Sequence, residues 1–319
     1  DPYAIWISEI MLQQTTVEAV IPYYERFLKR FPTVKALAEG PEEDVLKLWS
    51  GLGYYSRARN LHKAAGMMTG DFPDTVDALM VLSGIGRYTA GAIASIAFGR
   101  RAPIVDGNVI RVLSRLFLIS EDPKSSAGQK VFWRKAEEIL PHEHLGDFNQ
   151  ALMELGATVC SPENPACLIC PLSEDCRARR EGRPEDFPMP KKKTEYRDVR
   201  MSAAVVEEKG RILFLKRPAT GLLKGLWELP MVEGDVSELV KRWRVSVLKP
   251  LPTVRHSVLN RRLTISPFLC ALPKKPRKTD AGGPERRWLT ISDTAELATS
   301  SMNRKILKHL GGRANWLSE

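Results

Sequence analysis

Residues Val81 to Ser95 read VLSGIGRYTAGAIAS. Gly84 and Gly86 flank Ile85, between two stretches with helical apolar spacing. Paired glycines let a chain turn tightly and bring its backbone N–H groups close to a ligand. The helix that follows points its N-terminus at the same place, which favours phosphate oxygens. A helix–hairpin–helix clamp on a DNA backbone follows this logic; the same spacing also fits an ordinary αα-turn with glycine caps. The motif has a counterpart upstream. SGLGYY at 50–55 matches SGIGRY at 83–88, and each opens a helix-like segment.

Outward from this turn, residues 1–178 read as helical. AIWISEIMLQ, AVIPYYERFLKRF, EEDVLKLW, DTVDALMVL, TAGAIASIAFG, VIRVLSRLFLI, GQKVFWRKAEEIL and FNQALMELGATVC carry helical apolar spacing and are separated by Gly and Pro signals. Residues 179–200, RREGRPEDFPMPKKKTEYRDVR, are charged and Pro-containing with no apolar period, and read as a linker. From residue 201 the pattern changes. MSAAVVEE, RILFLKR and RRLTISPFLCAL read as strands, EEKGR as the turn joining the first two, and VSELVKRW and SMNRKILKHL as helices. Residues 201–319 are therefore expected to form a mixed α/β domain.

Cys160, Cys167, Cys170 and Cys176 form C-x6-C-x2-C-x5-C on a Pro-interrupted stretch after a helix. Four thiolates so spaced can wrap a [4Fe–4S] cube or a tetrahedral zinc. Zinc sites more often use two separated C-x2-C pairs; the single short pair here favours the cube. Cys270 lies in an expected strand and reads as a core residue. Five cysteines, four of them clustered, fit a metal site in a reducing compartment better than a disulfide framework.

The chain has 319 residues, a length suited to two domains, and 43% of them are apolar, enough for a sizeable core. Lys and Arg number 48 against 38 Asp and Glu, for a net charge of +10. Such a surface attracts polyanions, of which nucleic acid is the commonest, though a solvated basic surface has the same composition. No apolar stretch reaches ~18 residues, so no membrane span is expected, and no signal peptide shows. The chain starts at Asp1 rather than Met, so a native N-terminal segment, with any targeting sequence in it, is expected to be missing. The expected location is the cytoplasm or nucleoid in a bacterium, and the nucleus or mitochondrion in a eukaryote.

Two carboxylates stand out. In IWISEIMLQQ, residues 5–14, Glu9 sits among Ile, Trp, Met and Leu. On a helix it has Ile5 and Trp6 one turn before it and Leu12 and Gln13 one turn after. Burying an ionised carboxylate is costly, and desolvation raises its pKa, which suits a general acid; a surface Glu on an amphipathic helix is the alternative. Asp106, in PIVDGNV, precedes Gly107 and a helical segment, where Asp commonly caps a helix.

The hairpin together with the cysteine spacing resembles the endonuclease III superfamily of DNA glycosylases over all of residues 1–178. SEIMLQQT, GLGYYSRARN, GIGRYTAGAIASIAFG, VDGNV and FNQALMELGATVC resemble the MutY-type adenine DNA glycosylases, and GLLKGLWELP is similar to their Nudix-like C-terminal domain. The resemblance implies a mainly α helix–hairpin–helix glycosylase domain with a [4Fe–4S] loop, followed by an α+β Nudix-like domain. It implies removal of adenine mispaired with 8-oxoguanine or guanine, by a monomer whose partner is double-stranded DNA carrying that mismatch. Protonating a ring nitrogen makes adenine a feasible leaving group, and the resemblance gives that task to Glu9. Asp106 is then the carboxylate that stabilises the oxocarbenium-like sugar or attacks it, as in glycosidases, with Tyr88 and Asn108 as polar supports. Bifunctional members of the superfamily carry a Schiff-base Lys shortly after the hairpin glycines. Tyr88 stands here, and Tyr cannot form an imine.

The same resemblance makes Gln14 and Thr15 the residues that enter the base stack and contact the base opposite, Tyr54 a wedge aromatic, and Gln150 the reader of adenine. A Gln amide can pair with the N6/N7 edge of that base. Working Nudix hydrolases carry an R-E-x-x-E-E metal box. VSELVKRW lacks it, so this domain is expected to bind without hydrolysing nucleotides. Relatives read 8-oxoguanine with a Phe-Ser-His loop. Counting from His256, that loop is Val258, Leu259 and Asn260 here: Leu259 lacks the serine hydroxyl, and Asn260 can donate and accept in its place, while a two-residue shift would bring in Ser257. Relatives also carry an upstream helix and a Trp-containing segment lining the adenine pocket, so a partly open pocket is expected.

Overall fold

The computed structural model describes residues 1–189, 195–273 and 284–311. They divide into two compact units: Asp1–Gly40 with Arg59–Lys193, and Pro41–Ala58 with Thr194–Glu319. In chain order the helices of the first part are α1 (Pro2–Leu12), α2 (Val17–Arg30), α3 (Val34–Glu39), α4 (Glu42–Leu48), α5 (Ser56–Met67), α6 (Val76–Met80), α7 (Arg87–Phe98), α8 (Gly107–Phe117), α9 (Ser126–Ile139), α10 (Leu145–Glu154) and α11 (Arg177–Arg180). α4 and the turn after it belong to the second unit, so the boundary falls inside α5.

Local chemistry accounts for the helix ends that set the site. Asp1 caps α1 by accepting from the Tyr3 N–H at 2.9 Å, with Pro2 at the first helical position. Tyr3, Trp6, Ile7, Glu9, Ile10 and Met11 of α1 are buried. A helix apolar on most of its surface belongs inside a domain, and Glu9 goes in with it. In α7 every residue from Thr89 to Ser95 is buried. Ala92 of α7, Val109, Val112 and Leu113 of α8 and Phe132 and Ala136 of α9 share one core cluster. α10 runs into a single π-helical turn, Leu155–Val159, that leads into the cysteine loop.

The second unit is built on an eight-stranded sheet: β1 (Arg197–Glu208), β2 (Arg211–Lys216), β3 (Trp227–Glu228), β4 (Met231–Glu233), β5 (Ser246–Pro250), β6 (Val254–Val258), β7 (Arg261–Ala271) and β8 (Arg286–Leu289). Its spine is β3-β2-β1-β7-β5, with β4 on β1, β6 on β7 and β8 on β2. β1 and β7 run parallel from Arg197 opposite Arg261 to Val206 opposite Cys270. α12 (Val236–Trp243) and α13 (Ser301–Gly311) complete the unit.

The unbroken AAVV of β1 has a physical reason. Ala203 and Val205 pack with Phe214, Trp227 and Ile306, while Ala204 and Val206 pack with Leu213, Leu239 and Cys270. Both faces of the strand are buried, so apolar and polar residues do not alternate. The EEKGR turn is a two-residue hairpin: Glu208 pairs with Arg211, and Lys209 and Gly210 adopt φ of 52° and 75°. The stretch read as a linker carries the end of α11 on one side and the start of β1 on the other, and its residues 190–194 lie outside the described residues. Among the described residues no helix is long and apolar enough to cross a membrane.

Candidate active site

Glu9 is 7% exposed. The Tyr88 hydroxyl, from the first turn of α7, donates to Glu9 Oε2 at 2.7 Å and lies 3.3 Å from Met153 Sδ of α10. Burial pushes the Glu9 carboxyl above its ordinary pKa; the Tyr88 hydrogen bond opposes this, and the charge of Asp106 adds to it. Burial and the two neighbouring acids push the Tyr88 phenol upward too, so it stays a donor. Asp106 caps α8 through Oδ1, which accepts the Val109 N–H at 2.7 Å and leaves Oδ2 outside that bond. The structure thus brings Glu9, Tyr88 and Asp106 together: one carboxyl biased to hold a proton, one carboxyl fixed by a helix terminus, and a phenol touching the first. Such a pair can protonate a leaving group and meet the positive charge its departure leaves.

The glycine turn joins α6 to α7. Gly84 has φ of 78°, and a Cβ there would lie 2.5 Å from Asn60 Cβ, so both the conformation and the space demand glycine. Gly86 is the N-cap of α7 with φ of −92°, and a Cβ would meet nothing within 4 Å. It is exposed, which suits close approach by a ligand. In the upstream copy Gly51 and Gly53 have φ of 117° and 73°, so the repeat diverges at its second glycine.

The cysteine loop is fastened to α8 by a buried arginine. Arg115, 2% exposed, donates to the carbonyls of Phe187, Ser161 and Pro162 at 3.0, 2.7 and 3.0 Å, and to Cys160 Sγ at 3.3 Å. Burial raises the Cys167 pKa, followed by the charges of Cys176, Cys160 and Cys170, so the four thiols share one neighbourhood. Among the described residues no three Cys, His, Asp or Glu side chains converge tightly enough to enclose a single ion. A lone zinc would need sulfurs about 3.8 Å apart at ~2.3 Å Zn–S distances. An iron–sulfur cube binds each thiolate through a different iron and accepts a wider set. Four thiols backed by a guanidinium fit that group.

Comparison with known proteins gives the family. Residues 7–138 match the HhH-GPD superfamily of base excision DNA repair proteins, and residues 202–309 match the NUDIX domain. The adenine DNA glycosylase of Mus musculus is 37% identical over 371 residues, covering 96% of this chain and 71% of the relative. That of Homo sapiens is 36% identical over 374 residues, covering 98% and 68%. The chain belongs to the adenine DNA glycosylase family. Among solved structures, the glycosylase resembles a thermostable thymine-DNA glycosylase with a TM-score of 0.52 and 31% identity, over 57% of this chain and 85% of that one. It also resembles endonuclease III in a non-covalent DNA complex, with a TM-score of 0.50 and 28% identity, over 57% and 86%. The protein is a DNA N-glycosylase of base excision repair, helical first and α+β with a Nudix-like fold after.

The remaining expected residues of the glycosylase fall in several places. Asn108 does not hydrogen-bond Glu9 or Asp106: its Oδ1 accepts from Arg111 Nη2 at 2.8 Å, and its Cβ lies against Gly156. Gln14 is exposed with φ of 58°, between α1 and α2, and Thr15 Oγ1 donates to the Gln13 carbonyl at 3.5 Å. Gln150 is exposed on α10, its amide donating back to the Gly146 carbonyl at 3.2 Å. Tyr54, His256 and Asn260 belong to the second unit. Tyr54 is 49% exposed with φ of 46°. His256 is half-buried on β6, its pKa lowered by burial and then by Lys305. Leu259 forms the exposed tip of the β6–β7 hairpin with φ of 54°, and the Asn260 carbonyl accepts the Arg197 N–H at 2.9 Å. Sequence reading missed Met153 and Arg115. Met153 carries no local signal, but Arg115 lies inside VLSRLFL, the same charge-in-an-apolar-run pattern that marks Glu9.

Proposed function

We propose that this glycosylase removes adenine mispaired with 8-oxoguanine or guanine in double-stranded DNA, hydrolysing the glycosidic bond without cleaving the strand. The observation that carries the reading is the Glu9–Tyr88–Asp106 arrangement: a desolvated carboxyl with raised pKa, hydrogen-bonded at 2.7 Å by a phenol that stands where lyase relatives need an amine. A base must leave the stack before its bond can be attacked. Glu9 then gives its proton to a ring nitrogen of the flipped adenine while the N–C1′ bond breaks, and the electron pair leaves with the base. The Asp106 carboxylate meets the cationic sugar, by charge or by a transient C1′–O bond that water opens. Water supplies the new hydroxyl at C1′, its proton returns to the Glu9 carboxylate, and the product is an abasic site. Gln150 suits the N6/N7 edge of adenine. In this reading Gln14 and Thr15 would enter the stack and contact the opposite base, Tyr54 would act as the wedge, and Asn260 would serve lesion recognition. Cys160, Cys167, Cys170 and Cys176 would hold a [4Fe–4S] cluster, which when bound supplies a cross-link of the loop and one-electron chemistry.

The test is single-turnover adenine release from A·8-oxoguanine and A·G duplexes, with borohydride present in a parallel reaction. Adenine release with no trapped protein–DNA adduct is expected. A borohydride-trapped adduct, or no adenine release from either duplex, would overturn the reading.

A further inference from the structure

In the second unit, the turn that carries Tyr54 is bound to a point 244 to 249 residues later in the chain. Ser50 Oγ and the Tyr55 hydroxyl both donate to the Thr299 carbonyl, each at 2.8 Å. Arg304 Nη2 of α13 donates to Ser50 Oγ at 2.8 Å. Thr299 is itself fixed: its Oγ1 donates to the Trp227 carbonyl at 2.6 Å and accepts from Asn303 Nδ2 at 3.0 Å. Ser50, Tyr55, Thr299 and Asn303 are all buried. On α4, Glu43 takes Arg287 Nη1 at 2.7 Å.

Within the turn itself, Tyr54 points outward while Ser50 and Tyr55 are buried. It is 49% exposed and flanked by the inward-facing Ser50 and Tyr55. The Arg57 guanidinium lies 5.4 Å from its ring centroid and 5.5 Å from that of Trp49, whose Nε1 donates to the Gly53 carbonyl at 3.1 Å. Packing alone does not call for two buried hydroxyls on one carbonyl; a Phe would fill the volume of Tyr55. A side chain that separates stacked bases works against a few kcal/mol per step. An unanchored turn with two positive-φ glycines would yield before the bases did.

We propose that Ser50, Tyr55 and Thr299 form a latch that positions the Tyr54 wedge, so that the sheet unit holds the residue that opens the duplex. Ser50 and Tyr55 are positioning residues, acting through Tyr54, and the inference rests on the reading that Tyr54 enters the base stack. The latch puts the wedge in the same unit as Asn260.

The experiment uses the full chain and an A·8-oxoguanine duplex with 2-aminopurine beside the mismatch. Fluorescence is read at saturating protein, and duplex affinity is measured for the parent, Tyr54→Leu, Tyr55→Phe, Ser50→Ala and Tyr54→Leu/Tyr55→Phe. Amplitude per bound duplex does not respond to a simple loss of folded protein. Tyr54→Leu should abolish the fluorescence rise. Tyr55→Phe and Ser50→Ala should each lower the unstacked-to-stacked ratio about fivefold, the size of one buried hydrogen bond. Tyr55→Phe should weaken affinity when Tyr54 is present and leave it unchanged in the Tyr54→Leu background. Full amplitude in both Tyr55→Phe and Ser50→Ala, or equal affinity losses in the two backgrounds, overturns the latch. Full amplitude in Tyr54→Leu overturns the wedge reading, and the latch falls with it.

Discussion

Replacing Glu9 with Gln keeps the side chain's shape and removes its proton chemistry. The amide oxygen can still accept the Tyr88 hydroxyl that now lies 2.7 Å from Oε2, and the site stays packed at 7% exposure. General-acid assistance contributes about 10²–10⁴-fold, so single-turnover adenine release should fall by that factor, about 3–5 kcal/mol of barrier. Stability should move the other way. Burial, with Asp106 adding and Tyr88 opposing, raises the Glu9 pKa in the folded chain. Above the unfolded value of about 4.3 the native state binds the proton more tightly than the unfolded state. The parent therefore loses stability as pH rises from there to the folded pKa, at about 1.4 kcal/mol per unit. Glu9→Gln escapes that loss. Its advantage in Tm should be absent near pH ~4, grow as pH rises, and level off above the folded pKa. Thermal melts across this range, paired with rapid-quench adenine release, measure both effects. A Gln variant as fast as the parent, or a Tm difference that is flat in pH, refutes the idea of a desolvated, proton-holding carboxyl.

Gly84→Ala should cost about 1–2 kcal/mol in thermal melts, because φ is 78° and the new methyl meets Asn60. Gly86→Ala should leave the Tm unchanged and yet weaken duplex binding in a filter or anisotropy assay, since its Cβ projects into open space where a phosphate would come. Arg115→Met leaves the carbonyls of Ser161, Pro162 and Phe187 without their donor. It should lower stability by at least ~3 kcal/mol and, with the proposed [4Fe–4S] cluster held by the four cysteines, lower the visible absorption of the purified protein.

The long elements were legible because each satisfied its own local rules. VSELVKRW is α12 residue for residue, and Lys209–Gly210 is the hairpin turn that EEKGR demands. The short strands were not legible: β3 has two residues and β4 three, too few to show any alternation. α5, SRARNLHKAAGM, hides its apolar positions among charges, and only the glycine turn before it marked a helix-like segment there. Residues 41–58 read as part of a continuous helical region, because contiguity is the only grouping a sequence offers. Their buried partner, Thr299, lies at the far end of the chain. In the site, Glu9 was legible through the cost of burying it, whereas Met153, an ordinary helix apolar, acquires meaning only beside Tyr88.

Asp106 is where the two readings of a local motif stop competing. The sequence allows a helix cap or a catalytic carboxylate, and the structure shows the cap, with the Val109 N–H on Oδ1 at 2.7 Å. The cap fixes the carboxyl's orientation and so supplies the preorganisation that a charge facing a cationic sugar requires. Asp106→Asn separates the two roles, because Asn caps a helix about as well as Asp. Its stability should stay within about 0.5 kcal/mol of the parent, while Asp106→Ala should lose about 1 kcal/mol with the cap. Both should lose adenine release, since neither presents a negative charge to C1′. Asp106 also raises the Glu9 pKa. In Asp106→Asn the loss of residual rate with rising pH should therefore begin at lower pH than in the parent. An Asn variant that releases adenine at the parental rate would leave Asp106 as a cap alone, and the glycosidase division of labour would have to be given up.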